Sequence, residues 1–560
     1  MKFKKSFFLL AFFLLLFFTL EIFPQDFNRP RTYDIQHYKI HVRFDRARKQ
    51  VFGDTTVSLK PLRDNFKSIE LDANGINFNS VQMENGSKEL NYKVSEEKIS
   101  VELEKNYKKG ELINIRFQYS CKPKKGIYFV EEKKDGNKIV HSEQIWTQGE
   151  ADEARFWFPS YDFPDDKATS EQFITARSDE NVIANGELID KKDNGDGTTV
   201  FHFKMNIPHS TYLTSFVIGT YFTKTDFYKK IPLTYSVYPG EESIIPLVFT
   251  DTKEMIRVFE EATKVEYPYN KYDQTIVDNF QFGGMENITA TTYSDKEIFY
   301  ARFPQLRGFS VDLVSHELAH SWFGNLVTCK NWAELWLNEG FATYMEAVYR
   351  GKVYGQDAYK AKIREDATVY LYGDAGNNTK HGLYNLTAND TEKLFKYPNI
   401  TYNKGSVVIH LLHETVGDET FWKAINIYLN KFKFANVESS DFKKVLEETS
   451  GKNLDQFFKQ WVYAVGHPKL EVESVFSPAD KTLRVTISQT QKGDKVPAVF
   501  VFPLEITVLK KTGEKTEIVI IDKRIQNLSI KLDEVPVNVL LDKNAKMPLF
   551  SYKISSIKGL

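Results

Sequence analysis

The sequence predicts a multidomain α+β protein with an N-terminal antiparallel β domain, a mainly helical middle domain and a small C-terminal β-sandwich. Three observations carry that expectation. At 560 residues the chain has length for three domains of about 100 to 200 residues each. Apolar residues alternate with polar ones from about Arg29 to Lys224 and again after His467-Pro468, the period of half-buried strands. Between those stretches the apolar spacing changes to that of helices.

Residues 1–24 stand apart. Lys2, Lys4 and Lys5 precede an almost unbroken apolar run from Phe7 to Leu20, the charged and apolar regions of an export signal. These fourteen residues fall short of the about 20 that span a bilayer. Export to the periplasm or the exterior is expected, with this segment as a signal peptide. The following EIFPQDF lacks a small-x-small cleavage site, which keeps an uncleaved N-terminal anchor as the alternative.

In residues 25–226, Tyr38, Ile40, Val42 and Phe44 alternate with polar residues, as do Val57 and Leu59. Turn signals recur at Asn74, Asn85, Asp135, Asn185 and Asn194-Gly195. In residues 227–467, Met255, Val258, Phe259 and Ala262 mark a helix, and apolar helical runs lie near Val407 to Leu412 and Phe457 to Val462. In residues 468–560 the alternation returns in Leu483/Val485/Ile487 and Leu504/Ile506/Val508, with Lys511-Thr512-Gly513 as a turn.

Charge is balanced, 74 basic against 75 acidic side chains, so neither nucleic acid nor an acidic membrane surface is indicated as a partner. Cys121 and Cys329 are the only cysteines and fall in different expected domains, which excludes a disulfide framework. Cys329 reads as a buried structural thiol.

The chemistry concentrates in His316-Glu317-Leu318-Ala319-His320, with Glu339 nineteen residues further on. On a helix, residues i and i+4 lie about 40° apart around the axis and ~6 Å apart along it, so the two imidazoles share a face. Two histidines and one carboxylate make a hydrolytic zinc site with a position left for water, and Glu317 remains free to take that water's proton. A helix is expected over Ser310 to Phe323, stopped by Gly324-Asn325. A second begins between Asn331, which could form a capping box with Glu334, and Asn338, and runs to Gly351. Returning antiparallel, it would bring Glu339 beside the histidines. Glu346, seven residues after Glu339, is either the acceptor for a ligand histidine's N–H or a solvated carboxylate.

These residues, set in HELAHSWFGNLVT and LWLNEGFATYME, closely resemble the zinc aminopeptidases of the aminopeptidase N family, within the gluzincin clan. Three further motifs agree in order: Thr147-Gln148-Gly149-Glu150 with FPSYDFPDDKAT, Phe282-Gly283-Gly284-Met285-Glu286-Asn287, and Tyr402-Asn403-Lys404-Gly405. The resemblance implies a thermolysin-like catalytic domain holding one Zn2+. It implies that Glu150 and Glu286 bind the substrate's α-ammonium, with Met285 and Asn287 completing the motif. Gln148 would add a polar contact beside the first side chain, and Phe282 would line its pocket. By the same resemblance, larger members carry a C-terminal helical lid domain that is not expected here, leaving a more open cleft.

The physical jobs fit. A free α-amine is mostly cationic at neutral pH, so carboxylates suit its recognition. Gly283 and Gly284 would let the backbone lie against an extended peptide. A phenol at Tyr402 would stabilise the oxyanion, with Tyr397 as competitor for that role. The expected protein is a zinc metallo-aminopeptidase acting on peptides with a free N-terminus, Glu317 serving as general base. The alternatives are a zinc endopeptidase, an epoxide hydrolase-like enzyme, or a non-catalytic homologue on the same fold.

Overall fold

The computed structural model describes residues 27–559 apart from 87, 374–379, 389–390 and 494. The expected signal or anchor segment 1–24 lies outside the described residues. No described helix is long and apolar enough to cross a membrane.

The N-terminal alternation builds a seven-stranded sheet from β1 (Tyr33–Asp45), β2 (Gln50–Pro61), β3 (Ile76–Met83), β4 (Ile113–Cys121), β5 (Ala168–Arg177), β6 (Glu187–Asp193) and β7 (Thr198–His209), in the order β6-β7-β5-β1-β2-β4-β3. Tyr38, Ile40, Val42, Val57 and Leu59 are all buried, as period two requires. The domain is nevertheless not wholly antiparallel, because β1 and β5 pair parallel, with His37 opposite Thr169 and Val42 opposite Ile174. Alternation assigns side chains to faces and is blind to strand direction.

A four-stranded sheet, in the order Asn181–Ala184, Phe216–Gly219, Gln144–Thr147, Ile127–Val130, joins this domain to the next. Along its third strand Ile145 packs into the N-terminal core, while Trp146 points the other way and stacks on Tyr128 at 4.3 Å. The strand therefore delivers the following residues, Gln148 to Glu150, to the neighbouring domain. Asn185 is a second tie rather than an exposed turn. It is buried and its amide donates to Leu213 O and Ile288 O.

The middle region holds a five-stranded sheet of β8 (Phe222–Tyr228), β9 (Ile231–Val237), β10 (Tyr272–Val277), β11 (Gly284–Met285) and β12 (Ala290–Ser294), ordered β8-β9-β10-β12-β11. Strand β8 runs across the expected boundary at 226/227. The main helices are α1 (Thr252–Thr263), α2 (Arg307–Ala319), α3 (Trp336–Tyr354), α4 (Gln356–Tyr372) and α5 (Gly405–Val416), of which α2 meets the sheet at β11. Helix α3 is buried from Trp336 to Tyr349, which makes it the central helix of the domain.

Residues 469–554 form β13 (Lys469–Ser477), β14 (Thr482–Gln489), β15 (Phe502–Lys510), β16 (Gly513–Ile521), β17 (Ile525–Lys531), β18 (Pro536–Leu541) and β19 (Ser551–Ile554). They make two sheets, β17-β14-β13-β19 and β16-β15-β18, whose apolar residues share one core.

Candidate active site

Helix α2 begins at Arg307 and ends at Ala319, earlier than the expected Phe323, so His320 is its cap residue rather than an interior one. The last turn tightens, with Ser321 N donating to Leu318 O and Trp322 N to Ala319 O, before Gly324 at φ +127° turns the chain away. A Cβ at that glycine would lie 2.9 Å from His320 Nδ1. The second helix starts as foreseen near Asn331, whose side chain caps a 3₁₀ turn by accepting from Ala333 N. Its partner in the expected capping box, Glu334, instead accepts from the Ser439 hydroxyl. Helix α3 then runs back along α2, and Arg350 pairs with Asp312 across the two.

This packing brings Glu339 onto the histidines. Glu339 Oε2 lies 3.1 Å from His316 Nε2 and 3.4 Å from His320 Nε2. The opposite ring nitrogens are occupied: His316 Nδ1 donates to Glu346 Oε1 at 2.9 Å and His320 Nδ1 to Phe323 O at 2.9 Å. Both rings are thereby fixed with Nε2 turned to one point. Ligand atoms held tetrahedrally at about 2.0 Å from an ion sit about 3.3 Å apart. The observed spacing fits, and His316, His320 and Glu339 form a group whose ligand atoms all lie within 4.8 Å. Burial opposes charge on His316, yet hydrogen bonds to Glu339 and Glu346 lift its pKa to about 9. Burial likewise opposes ionised Glu339, but the His320 charge and both histidine hydrogen bonds hold it down at about 2.

A cavity of about 540 Å³ opens over this group, lined among others by Glu150, Phe282, Gly283, Gly284, Glu286 and Glu317. Glu150, Glu286 and Glu317 are buried, and each has one carboxylate oxygen with no hydrogen-bond partner. Burial, then the charge of Glu286, pushes the Glu150 carboxyl well above the usual range. Burial pushes Glu317 up to about 8 against the pull of His316 and His320. Gly284 has a task beside the one its sequence suggested, since a Cβ there would come within 2.2 Å of Glu317 Oε1. It makes room for the carboxylate.

Tyr402 stands in a π-helical turn, Ile400–Lys404, ahead of α5. Its ring lines the cavity and lies 5.8 Å from that of His316, 16° from parallel. Tyr397 packs beside His381 instead, with ring centroids 6.1 Å apart. Phe282 lines the cavity and meets Phe395 edge-on at 5.5 Å. Gln148, Met285 and Asn287 sit behind the lining: Gln148 Nε2 is 3.2 Å from Met285 Sδ, and Asn287 donates to Thr292 Oγ1. Thr343, Lys362, Asn399 and Asn403 also line the cavity and were not anticipated. The readable signal for Lys362 was its i,i+4 spacing to Asp366, a helix-compatible charge pair.

Two family models match consecutive stretches: the peptidase M1 N-terminal domain over residues 34–213 and the peptidase family M1 domain over residues 248–461, together more than half of the chain. Over 516 residues the chain is 29% identical to a probable aminopeptidase 2 of Sulfurisphaera tokodaii, covering 91% of this chain and 63% of that protein. It is 32% identical over 343 residues to an aminopeptidase N of Streptomyces lividans, covering 59% of this chain and 39% of that one. The crystal structure of Legionella pneumophila aminopeptidase A in complex with aspartic acid superposes with a TM-score of 0.79 at 19% identity, over 94% of this chain and 60% of that chain. The chain thus spans less than two thirds of these relatives' own lengths, and with both family models matched it belongs to peptidase family M1.

Proposed function

We propose that the protein is a zinc metallo-aminopeptidase that removes single residues from peptides with a free N-terminus. The observation that carries this reading is the convergence, in one cavity, of a three-ligand metal group with two further buried carboxylates, Glu150 and Glu286, each with a buried oxygen that has no hydrogen-bond partner. A buried acceptor without a donor is costly, and a substrate ammonium supplies the missing donor. The same pair limits cleavage to the first peptide bond, because the amine must sit on the carboxylates while the carbonyl reaches the metal group.

His316, His320 and Glu339 would hold zinc, which when bound supplies an acidified water and polarises a carbonyl. Glu317 is the general base. Its free oxygen accepts the water proton and returns it to the departing amine. A pKa lifted to about 8 by burial suits a group that must both take and give a proton near neutrality. Tyr402 donates to the oxygen on which charge develops. Strand β11 is a sheet edge, so an extended peptide can add alongside Gly284 and Met285 by backbone pairing.

A panel of aminoacyl fluorogenic substrates, assayed with and without chelator, tests the proposal. Chelator-sensitive hydrolysis of at least one is expected, and its absence for all would overturn the reading. N-terminally blocked substrates separate it from an endopeptidase, which should cut them. We further read residues 468–560 as a β-sandwich domain and residues 1–24 as an export signal. An intact Met1 in the mature protein, seen by mass spectrometry, would refute cleavage of that signal.

A further inference from the structure

Behind the metal group lies a chain of buried polar contacts that the proposed chemistry does not use. Glu346 Oε1 accepts from His316, and its other oxygen, Oε2, pairs with Lys362 Nζ at 2.9 Å. Lys362 Nζ also donates to Asp366 Oδ1 at 2.7 Å. Asp366 in turn accepts from Asn403 Nδ2 at 3.0 Å and, through Oδ2, from the Ser406 hydroxyl at 2.9 Å. Asn403 directly follows Tyr402 in the π-helical turn, and Ser406 lies in the first turn of α5. Lys362 and Asp366 are 5% and 1% exposed, so protein groups supply most of the partners of these charges.

One lysine–aspartate pair on α4 therefore reaches both working parts of the site. Through Glu346 it sets the ring of His316, and through Asn403 and Ser406 it sets the turn that presents Tyr402 above that ring. The π turn makes such a support necessary. An extra residue in a helical turn is locally unfavourable and persists where surrounding contacts fix it. Two carboxylates, Glu346 and Asp366, share the single ammonium of Lys362, so neither end can relax without disturbing the other.

We infer that Lys362 and Asp366 are positioning residues that hold the metal ligand His316 and the phenol of Tyr402 in one fixed arrangement. The inference rests on the aminopeptidase reading for Tyr402, but its metal arm stands apart from catalysis. The kinetic arm is a double-mutant cycle in the full chain, Asp366→Asn with Tyr402→Phe. Asp366→Asn alone is expected to lower kcat about 10- to 100-fold with KM changed less than about threefold. In the Tyr402→Phe background it should cost several-fold less, because one of the two groups it positions is already gone. An equal loss in both backgrounds, or no loss in either, overturns the inference.

Should Asp366→Asn fail to fold, Ser406→Ala removes one hydroxyl from the same aspartate and carries the same cycle. The metal arm compares zinc affinity by chelator competition in Lys362→Met, Lys362→Arg and the unaltered chain. About tenfold weaker binding is expected for methionine, with arginine recovering most of it. Unchanged zinc affinity in a folded Lys362→Met protein contradicts the inference without bearing on whether the enzyme cleaves peptides. If instead the unaltered chain hydrolyses nothing, the functional reading falls and the metal arm still stands or fails by itself.

Discussion

The two ends of the cavity are built by opposite rules. At the metal end, no nitrogen or oxygen of His316, His320, Glu339 or Glu346 is buried without a partner, and each imidazole is pinned by a second hydrogen bond. At the acidic end, Glu150, Glu286 and Glu317 each keep a buried oxygen with nothing to accept from. The first end is satisfied and rigid before any substrate arrives. The second stores unmet hydrogen-bonding capacity, which is unfavourable for folding and useful for binding a cation or moving a proton. A carboxylate's role here is thus legible from whether its oxygens are partnered.

The largest expected effect falls on the acidic end. Glu317→Gln keeps the shape and the metal group but cannot take a proton, so kcat should drop about 10²- to 10⁴-fold with zinc content unchanged by elemental analysis. Near-normal turnover with zinc present would remove Glu317 as the base. Next, Tyr402→Phe should lower kcat about 10²- to 10³-fold, whereas Tyr397→Phe should stay within about twofold. Reversed effects would mean that the ring beside His381, not the one above His316, supplies the donor.

The smallest effect tests the stored cost directly. Replacing Glu150 by methionine removes a buried acceptor, and the folded state should gain about 1 kcal/mol at neutral pH while aminoacyl hydrolysis is lost. Burial raises the folded pKa of Glu150 above its unfolded value, so its contribution to stability is complete below the unfolded pKa and is lost as pH rises through the folded one. The gain in Tm of Glu150→Met over the unaltered chain should therefore grow as pH rises above the ordinary carboxylate range. A gain that shrinks over that rise would show that Glu150 is already satisfied.

How much of this was legible in the sequence follows from the range of each interaction. His316, His320 and Glu339 were readable because helical spacing alone places two imidazoles on one face and a short connection returns the third ligand. The β segments were readable from their period, but the parallel pairing of β1 with β5 was not, since their partners lie about 130 residues apart and alternation carries no direction. Asn185 resembled a turn residue because Asn-Gly is a local signal, whereas its buried amide serves Leu213 and Ile288 across a domain junction. The close approach of Glu317 to Gly284 was not legible, because it joins α2 to β11 through space. In the support from Glu346 through Lys362 and Asp366 to Ser406, only the Lys362–Asp366 step has a helical spacing, and nothing in the sequence encodes the links to α3 and α5.

The central claim is that the unpartnered carboxylates select a free N-terminus, and a matched pair of substrates tests it most directly. The zinc-loaded full chain is assayed on one aminoacyl fluorogenic amide and on its N-acetyl form, alongside Glu286→Gln. A charge-assisted hydrogen bond of about 1.5 to 3 kcal/mol predicts that the unaltered chain favours the free amine by at least about 10- to 100-fold in kcat/KM, and that Glu286→Gln loses most of that preference with its zinc retained. Equal cleavage of the two substrates by the unaltered chain, or an undiminished preference in Glu286→Gln, would contradict the account.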